Sequence, residues 1–360
     1  MKNIIISNNI SIKGEEINAT SKTLEGFKPI INASIIEKLK ENSNIIVKEF
    51  TSEFGLLENL NENILNELKK DENQIAIIAE MGLNGLKQKN NNLIVLKPSY
   101  GRCSRYGIFG YSSSMDNILI FGKNIDEIGN TLELIAGRDD KDLTSINEEF
   151  KYSKECKCGG KCDKNCNCGC SEDDIVKFSL FEELELDKKL IDISNTIVKI
   201  ISSAEATTNL AGIDGIRYGK REEGKSYDEI IINSRSNFTY ETKRNLLFGS
   251  YVLRKDNLQN IYYKSMKIRK KIKEMIDDVF YEADYIVFRK DKSKIDEEKI
   301  ISIAILGGFP VLKIEKENLI IISKLKNEKG LLNFGKDIIE DADILDESIL
   351  VDEIEEEENV

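Results

Sequence analysis

The chain has 360 residues, of which 40% are hydrophobic and 7% aromatic, and this composition can fill a large core. Lys and Arg number 52 against 64 Asp and Glu, and the net charge of −12 disfavours non-specific binding to nucleic-acid phosphates. The sequence contains no histidine, which excludes Ser-His-Asp and Cys-His mechanisms and imidazole metal ligands. Any chemistry therefore depends on Lys, Ser, Cys, Asp or Glu.

The first apolar run covers only Ile4 to Ile6 before Ser7 interrupts it, which is too short for the core of a signal peptide. No stretch approaches the roughly 18 consecutive apolar residues that a membrane-spanning helix needs. We therefore predict a cytoplasmic protein that has no membrane partner.

Residues 1–150 alternate short apolar runs with amphipathic stretches, which predicts an amino-terminal α/β part. The predicted strands are IIIS, IIVKEF, IAIIAEMGL, LIVLKP and ILIFGK, and the predicted helices are ASIIEKLKEN and IDEIGNTLELIAG.

Residues 176–335 are predicted to form the second part of the same domain. From Asp187 to about Phe288, apolar residues recur at a spacing of about 3.6, which predicts a mostly helical segment. Short strands are expected after it at DYIVF, ISIAILGG, FPVLKIEK and NLIIISKL. Residues 336–360 form an acidic tail, which is typical of a solvated segment, and docking of a basic partner is the alternative.

A cysteine-rich insertion is predicted at residues 151–175. Its pattern is CxCxxxCxxxCxCxC, with no apolar residue inside it, and the cysteines are Cys156, Cys158, Cys162, Cys166, Cys168 and Cys170. Thiolates bind Zn²⁺ or Cu(I) tightly in a reducing compartment, so we predict a metal-binding loop. Four thiolates satisfy one zinc ion, whereas six leave two spare or bridge a small polymetal cluster. Disulfides are a third option and need an oxidising compartment.

Four segments carry a family resemblance. They are KPSYGRCSRYGIFGYSSSMDNI at 97–118, ELIAGRDDKDLTS at 133–145, SAEATTNLAGIDGIRYGKR at 203–221 and SRSNFTYETKRNLLFGSYVL at 234–253. These segments resemble the amidase signature family, and within it the branch of glutamyl-tRNA(Gln) amidotransferase A subunits. The resemblance spans most of residues 4 to 325 and implies a reduced amidase-signature α/β fold, with a mixed β-sheet flanked by helices.

The resemblance also implies where the family's catalytic groups belong. The family uses a lysine in KDN as base, a serine in GGSSGGS as proton relay and a nucleophilic serine in DTGGS. Here the lysine position falls on Ser7 and the nucleophile position falls near Leu83. No serine lies between Ser52 and Ser99, and LLENLNENILNELKK, a predicted amphipathic helix, replaces the relay segment. We therefore expect the catalytic triad to be absent.

Other positions of the resemblance are retained. Arg235 aligns with an arginine that resembles the family's clamp for the α-carboxylate of glutamine, and it is a candidate for ligand binding without turnover. The simpler alternative is an ion pair between Arg235 and a carboxylate. Glu205, Asn209, Asp214, Arg217 and Tyr218 are expected to determine the fold or contact a partner.

Three further sets of residues have simple interpretations. The family carries serines at Ser112, Ser113 and Ser114 without using them as nucleophiles. Lys13 and Lys97 are the remaining lysines that could activate a serine, although no second feature supports such a role. Cys103 is expected to be a small buried residue.

Three functions follow from these observations. The first is a catalytically inactive amidase-like protein that serves as a metal-binding scaffold or regulatory partner. The second is a functional amidase, or an amidotransferase A subunit that works with other amidotransferase subunits. In that case tRNA is bound only through the complex, and no direct DNA binding is expected. The third is metallothionein-like metal storage or sensing.

Overall fold

A computed structural model describes residues 2–48, 53–55, 66, 68, 71–81, 83, 85–87, 92–152 and 176–345. Three predictions therefore lie outside the described residues. They concern the acidic run from residue 346 onward, the helix predicted for LLENLNENILNELKK apart from Asn66 and Leu68, and the cysteine cluster of Cys156, Cys158, Cys162, Cys166, Cys168 and Cys170.

The described residues contain a nine-stranded sheet in the order β2-β1-β3-β5-β4-β8-β9-β7-β6. The strands are β1 (Lys2–Ser7), β2 (Ser43–Lys48), β3 (Ile75–Glu80), β4 (Ile94–Lys97), β5 (Asn117–Gly122), β6 (Phe178–Leu180), β7 (Tyr285–Arg289), β8 (Val311–Ile314) and β9 (Leu319–Ser323). Strand β1 is parallel to β2 and β3, and β6 is parallel to β7, whereas the other pairs are antiparallel. This confirms the predicted mixed sheet.

The helices are α1 (Ser34–Lys40), α2 (Ile125–Ile135), α3 (Lys188–Asn209), α4 (Tyr227–Arg235), α5 (Tyr240–Val252), α6 (Lys255–Asn257), α7 (Lys264–Val279), α8 (Glu297–Gly307) and α9 (Glu328–Glu340). A π-helical turn, Leu258–Tyr263, joins α6 to α7. The 3-10 turns are Lys22–Leu24, Glu53–Gly55, Phe181–Glu183, Leu210–Gly212, Glu315–Glu317 and Ala342–Leu345. The predicted helical middle segment is confirmed by α3 to α7. Within the described residues, no helix is both long and apolar enough to cross a bilayer.

Two hydrophobic cores lie on opposite faces of the sheet, because successive side chains of a strand point in opposite directions. In β1, Ile5 belongs to the core under α3, α5, α7 and α8, while Ile4 and Ile6 belong to the core under α1, α2 and α9. The sheet also joins both parts of the chain, since β4 pairs with β8. The four predicted boundaries, 1–150, 151–175, 176–335 and 336–360, remain predictions.

One predicted strand is wrong. The segment ISIAILGG belongs to helix α8, which begins after Asp296 and ends at Gly308 in the left-handed conformation, with φ of 74°. The Asp296 side chain accepts a hydrogen bond from the N–H of Glu298, as expected of an N-cap. Helix α8 is buried almost all round, so its apolar run lacks the one-sided periodicity by which a surface helix is distinguished from a strand.

A buried ion pair ties the segment after β4 to the start of α9. The guanidinium of Arg102 lies 2.9 Å from the Glu328 carboxylate, and both side chains are almost fully buried. Glu328 also accepts a hydrogen bond from the N–H of Ser99 at 2.9 Å. Nearby, the Lys97 ammonium donates to the carbonyl of Phe309 at 2.7 Å, and burial lowers the pKa of Lys97 to about 7.

Replacing Glu328 with alanine is expected to reduce the free energy of unfolding by about 3–5 kcal/mol, because the Arg102 charge stays buried without its partner. Urea unfolding measures this change. The control is Asp284→Ala, which breaks the exposed pair between Lys324 and Asp284 and is expected to cost about 0–1 kcal/mol. Equal losses in the two variants would contradict the importance assigned to burial.

Candidate functional site

Ser7, at the position of the family's basic lysine, is fully buried at the end of β1. Its hydroxyl donates to the side-chain oxygen of Asn9 at 2.6 Å and accepts from the N–H of Ala79 at 3.1 Å. Asn9 in turn donates to the carbonyl of Ala79 at 2.8 Å. The Ser7 hydroxyl therefore joins the ends of two neighbouring parallel strands, β1 and β3.

The space beside this junction is closely packed. Gly55 has a φ of 71°, and a Cβ atom there would lie 3.0 Å from the Ala79 carbonyl oxygen. Glu53 is buried and accepts hydrogen bonds from the N–H and the hydroxyl of Thr239, at 2.8 and 2.7 Å, and another from Ser21. The Glu53–Gly55 turn is thereby held against the strand ends by hydrogen bonds to two distant segments.

Leu83, near the nucleophile position, follows the adjacent strand β3 and packs its half-buried side chain against the core. Parallel neighbours end at the same edge of a sheet, so β1 and β3 bring Ser7 and Leu83 to one edge. Neither side chain supplies an ionisable group. The edge therefore carries an alkyl group and a hydroxyl where the family resemblance expects a nucleophile and a base.

Glu80, the last residue of β3, is an ionisable group at this edge that the sequence analysis missed. It is buried and accepts a hydrogen bond from the N–H of Gly85 at 2.6 Å. Burial, with a smaller contribution from the charge of Asp116, raises the pKa of the Glu80 carboxyl to about 8, although the hydrogen bond from Gly85 lowers it. Its position inside the predicted apolar strand IAIIAEMGL was the available signal, but the sequence alone does not show that the side chain turns inward.

Residues 111–116 form a turn that contains Ser112, Ser113 and Ser114, and this serine turn lies beside the edge. Side chains of helices α3 and α7 hold it in place. The Glu205 carboxylate of α3 accepts from the Ser112 hydroxyl at 2.6 Å and from the N–H of Ser114 at 2.9 Å. Arg269 of α7 donates to the hydroxyl and carbonyl of Ser114, at 2.7 and 3.0 Å. The Ser113 hydroxyl is hydrogen-bonded to Asn209. Glu205 and Asn209 therefore hold the turn, as expected of fold determinants.

A polar cleft of about 500 Å³ opens against the serine turn. Its polar lining includes Arg105, Ser113, Asp116, Asn117, Asn209 and Tyr218. One carboxylate oxygen of Asp116 is buried without a hydrogen-bond partner among the described residues. Burial also raises the pKa of Asp116 to about 7, although the N–H of Ser112 donates to its other oxygen. The cleft has room for a small polar molecule, and its lining offers both donors and acceptors.

Arg235 contacts main-chain carbonyls, and its predicted role in ligand binding remains a prediction. Its guanidinium donates to the carbonyls of Leu210 and Ile213, both at 2.9 Å, and lies 5.0 Å from the ring centre of Phe238. Within the described residues it forms no ion pair, so the expected pairing with a carboxylate is wrong. Burial lowers the pKa of the guanidinium below its usual range. Arg235 supports the wall of the polar cleft through main-chain carbonyls.

The other residues that the sequence singled out can also be located in the structure. Arg217 donates to Asp214 at 2.7 Å within a tight turn, as expected of fold determinants. The Lys97 ammonium is committed to a carbonyl, and Lys13 is exposed. Cys103 is buried, which confirms its predicted place. Among the residues that the structure describes, no cluster of three or more Cys, Asp or Glu side chains could hold a metal ion.

The raised pKa of Glu80 predicts a pH dependence of stability. A carboxyl whose pKa rises from 4.5 to about 8 on folding contributes stability that is present below pH 4.5 and is lost as the pH rises through 8. The free energy of unfolding should therefore fall between pH 5 and pH 8 more steeply in the unmodified protein than in Glu80→Gln. Urea unfolding across that range measures the difference, and parallel curves would contradict the prediction.

Comparison with known proteins identifies the family to which this chain belongs. The family model described as Amidase matches residues 89–289. The A subunit of glutamyl-tRNA(Gln) amidotransferase from Helicobacter hepaticus is 31% identical over 322 residues, which cover 79% of this chain and 72% of that protein. The A subunit of the same name from Campylobacter jejuni is 31% identical over 391 residues, covering 92% of this chain and 86% of that protein.

Solved structures share the fold. The crystal structure of the glutamyl-tRNA(Gln) amidotransferase A subunit from Thermotoga maritima matches with a TM-score of 0.60 and 19% identity, covering 94% of this chain and 83% of that one. An amidase family protein from Bacillus anthracis matches with a TM-score of 0.66 and 16% identity, covering 93% and 76%. Because the family model spans more than half of the residues and curated relatives exceed 30% identity, the chain belongs to the amidase family.

Proposed function

We propose that this chain is an amidase-family protein that does not hydrolyse amides and that acts as a scaffold or regulatory partner. The observation that carries the proposal is the buried hydroxyl of Ser7, whose hydrogen bonds to Asn9 and Ala79 serve the strand junction. A neutral hydroxyl in that place supplies neither the charge nor the proton transfer that a lysine base supplies. On this proposal the chain is a reduced relative that lacks the catalytic triad.

The nucleophile position supports the same proposal. Leu83 offers no atom that can attack a carbonyl carbon, and its side chain packs against the core. A nucleophile, its base and its proton relay act as a unit, and loss of one member typically lowers the rate by several powers of ten. Ser112 and Ser113 are the nearby alternatives, but their hydroxyls bind Glu205 and Asn209 and hold the serine turn.

The retained polar cleft gives the proposed protein a means to respond to a small molecule. Its volume of about 500 Å³ suits a small amide or amino acid, and its lining offers polar side chains, among them Arg105, Ser113 and Asn209. Binding there without turnover can stabilise the serine turn, which contacts both α3 and α7. This is the kind of link through which a ligand regulates a partner.

The purified chain is expected to release no ammonia from glutamine, asparagine or simple amides above the rate without protein. A coupled ammonia assay measures this, with an active amidase as the positive control.

The informative variants are Ser113→Ala and Ser112→Ala. Turnover by the unmodified chain that disappears in either variant would sink the proposal, because it would show a relocated serine nucleophile. Turnover that disappears in Glu80→Gln would sink it equally, because a carboxylate would then be the active group.

A second candidate is a working amidotransferase A subunit that needs its partner subunits. The similarity to curated proteins of that name favours it. On this candidate the chain copurifies from its host with other amidotransferase subunits, and tRNA is bound only through the complex. Affinity purification followed by mass spectrometry tests it, with a tagged unrelated protein as control. Absence of those subunits in a host that makes another A subunit would argue against it.

Metal binding by the six cysteines is a separate proposal, and the scaffold and the metal-storage functions share it. The proposed ligands are Cys156, Cys158, Cys162, Cys166, Cys168 and Cys170. Their thiolates favour Zn²⁺ or Cu(I).

Native mass spectrometry of the reduced protein is expected to show bound metal that is lost when the six cysteines are changed to serine. One ion per chain indicates a structural staple, and several indicate storage or sensing. Cys103→Ser is the matched control because Cys103 is buried away from solvent. A metal-free mass after purification from its host would contradict the proposal.

A further inference from the structure

The charge of this acidic chain is unevenly distributed. Residues 240–273, which cover α5, α6, the π-helical turn and most of α7, contain ten Lys or Arg and two acidic residues. The whole chain carries a net charge of −12. The electrostatic potential near this part of the surface is therefore positive, although the net charge of the whole chain is negative.

Helix α5 presents one exposed face. Tyr240, Leu247 and Tyr251 are spaced by seven and four residues and are 72%, 73% and 50% exposed. Residues at such spacing share one side of a helix. Lys243 and Arg244 lie between them and are also exposed. The result is a stripe about 20 Å long, the length of this helix, with a tyrosine near each end and two cations and a leucine between them.

The following segment extends the same surface. The π-helical turn contacts both α5 and α7, and it ends in Tyr263, which is 44% exposed. Exposed lysines flank the turn at Lys255, Lys264 and Lys267. We call the exposed set formed by Tyr240, Lys243, Arg244, Leu247, Tyr251, Lys255, Tyr263, Lys264 and Lys267 the basic aromatic surface.

Most of its cations are free to meet an external anion. Arg244, Lys255, Lys264 and Lys267 form no ion pair within the described parts of the chain. The two acidic residues of the segment, Glu241 and Asp256, are exposed, and Asp256 is paired with Arg254 at 3.9 Å. Lysines that stabilise a folded surface are commonly paired along a helix, as Lys270 is with Glu274 at 3.4 Å.

We propose that the basic aromatic surface binds single-stranded RNA. Cations along a groove or stripe attract the phosphates, and exposed aromatic rings stack on unpaired bases, which is how sequence-tolerant single-strand binding works. Each tyrosine also carries a hydroxyl that can bond a ribose 2′-hydroxyl beside a stacked base, and this favours RNA over DNA. The proposal reverses the expectation from net charge, and it holds whether or not the chain hydrolyses amides.

The test uses the full-length protein and a fluorescein-labelled single-stranded RNA of about 16 nucleotides and mixed sequence. Anisotropy titrations at several salt concentrations give the affinity and its salt dependence. The triple variant Lys255→Gln, Lys264→Gln, Lys267→Gln should reduce the slope of log K against log salt by about 2, since each lost phosphate contact on a single strand removes about 0.7. The double variant Tyr240→Ala, Tyr251→Ala should weaken binding about five-fold or more per ring.

The matched control changes the same number of charges in the amino-terminal part of the chain, away from the basic aromatic surface. Lys13→Gln, Lys28→Gln, Lys40→Gln removes three exposed lysines and should leave both affinity and slope unchanged. Circular dichroism melts of each variant establish that it is folded, which is expected because every changed side chain is exposed.

Four results would overturn the proposal. The first is no RNA binding at low salt, with an acidic protein partner captured instead. The second is an equal loss in the control triple, which would mean that only the net charge matters. The third is unchanged binding in the tyrosine double variant, which would leave electrostatic attraction without stacking. Equal affinity for DNA of the same sequence would overturn the assignment to RNA.

Discussion

The buried pair of Arg102 and Glu328 is the interaction on which the rest of the structure depends. It joins the segment after β4 to the first turn of α9, and β4 is the strand that pairs with β8 of the second half. One sheet is therefore assembled from two distant stretches of chain. Because both charges are removed from water, loss of either partner leaves the other charge buried and unpaired.

The edge where β1 and β3 end is held together by hydrogen bonds between neighbouring strands. Ser7 and Asn9 bind Ala79, and the Glu53–Gly55 turn closes the space beside them. These hydrogen bonds make the edge a structural junction, while the polar cleft beside the serine turn stays open. An open polar cleft and a set of stabilising hydrogen bonds therefore lie next to each other in this part of the structure.

The electrostatic picture depends on the scale at which it is viewed. At the scale of the whole chain the net charge is −12, which predicts repulsion from polyanions. At the scale of a helix, exposed lysines that share a side of α5 and α7 create a local positive field. Salt screens the interaction between exposed charges that lie more than about 8–10 Å apart. A polyanion at this surface therefore responds mainly to the nearby cations.

The sequence by itself determined the α/β class, the mixed sheet, the helical middle segment and the family, because periodicity and long motifs are local properties of the chain. It missed helix α8, whose burial on all sides removes the periodic signal. Only the tertiary structure decided that Glu80 and Asp116 turn inward and that Arg235 binds main-chain carbonyls instead of a carboxylate. Those outcomes depend on which distant atoms lie within hydrogen-bond reach, and spacing along the chain does not contain that information.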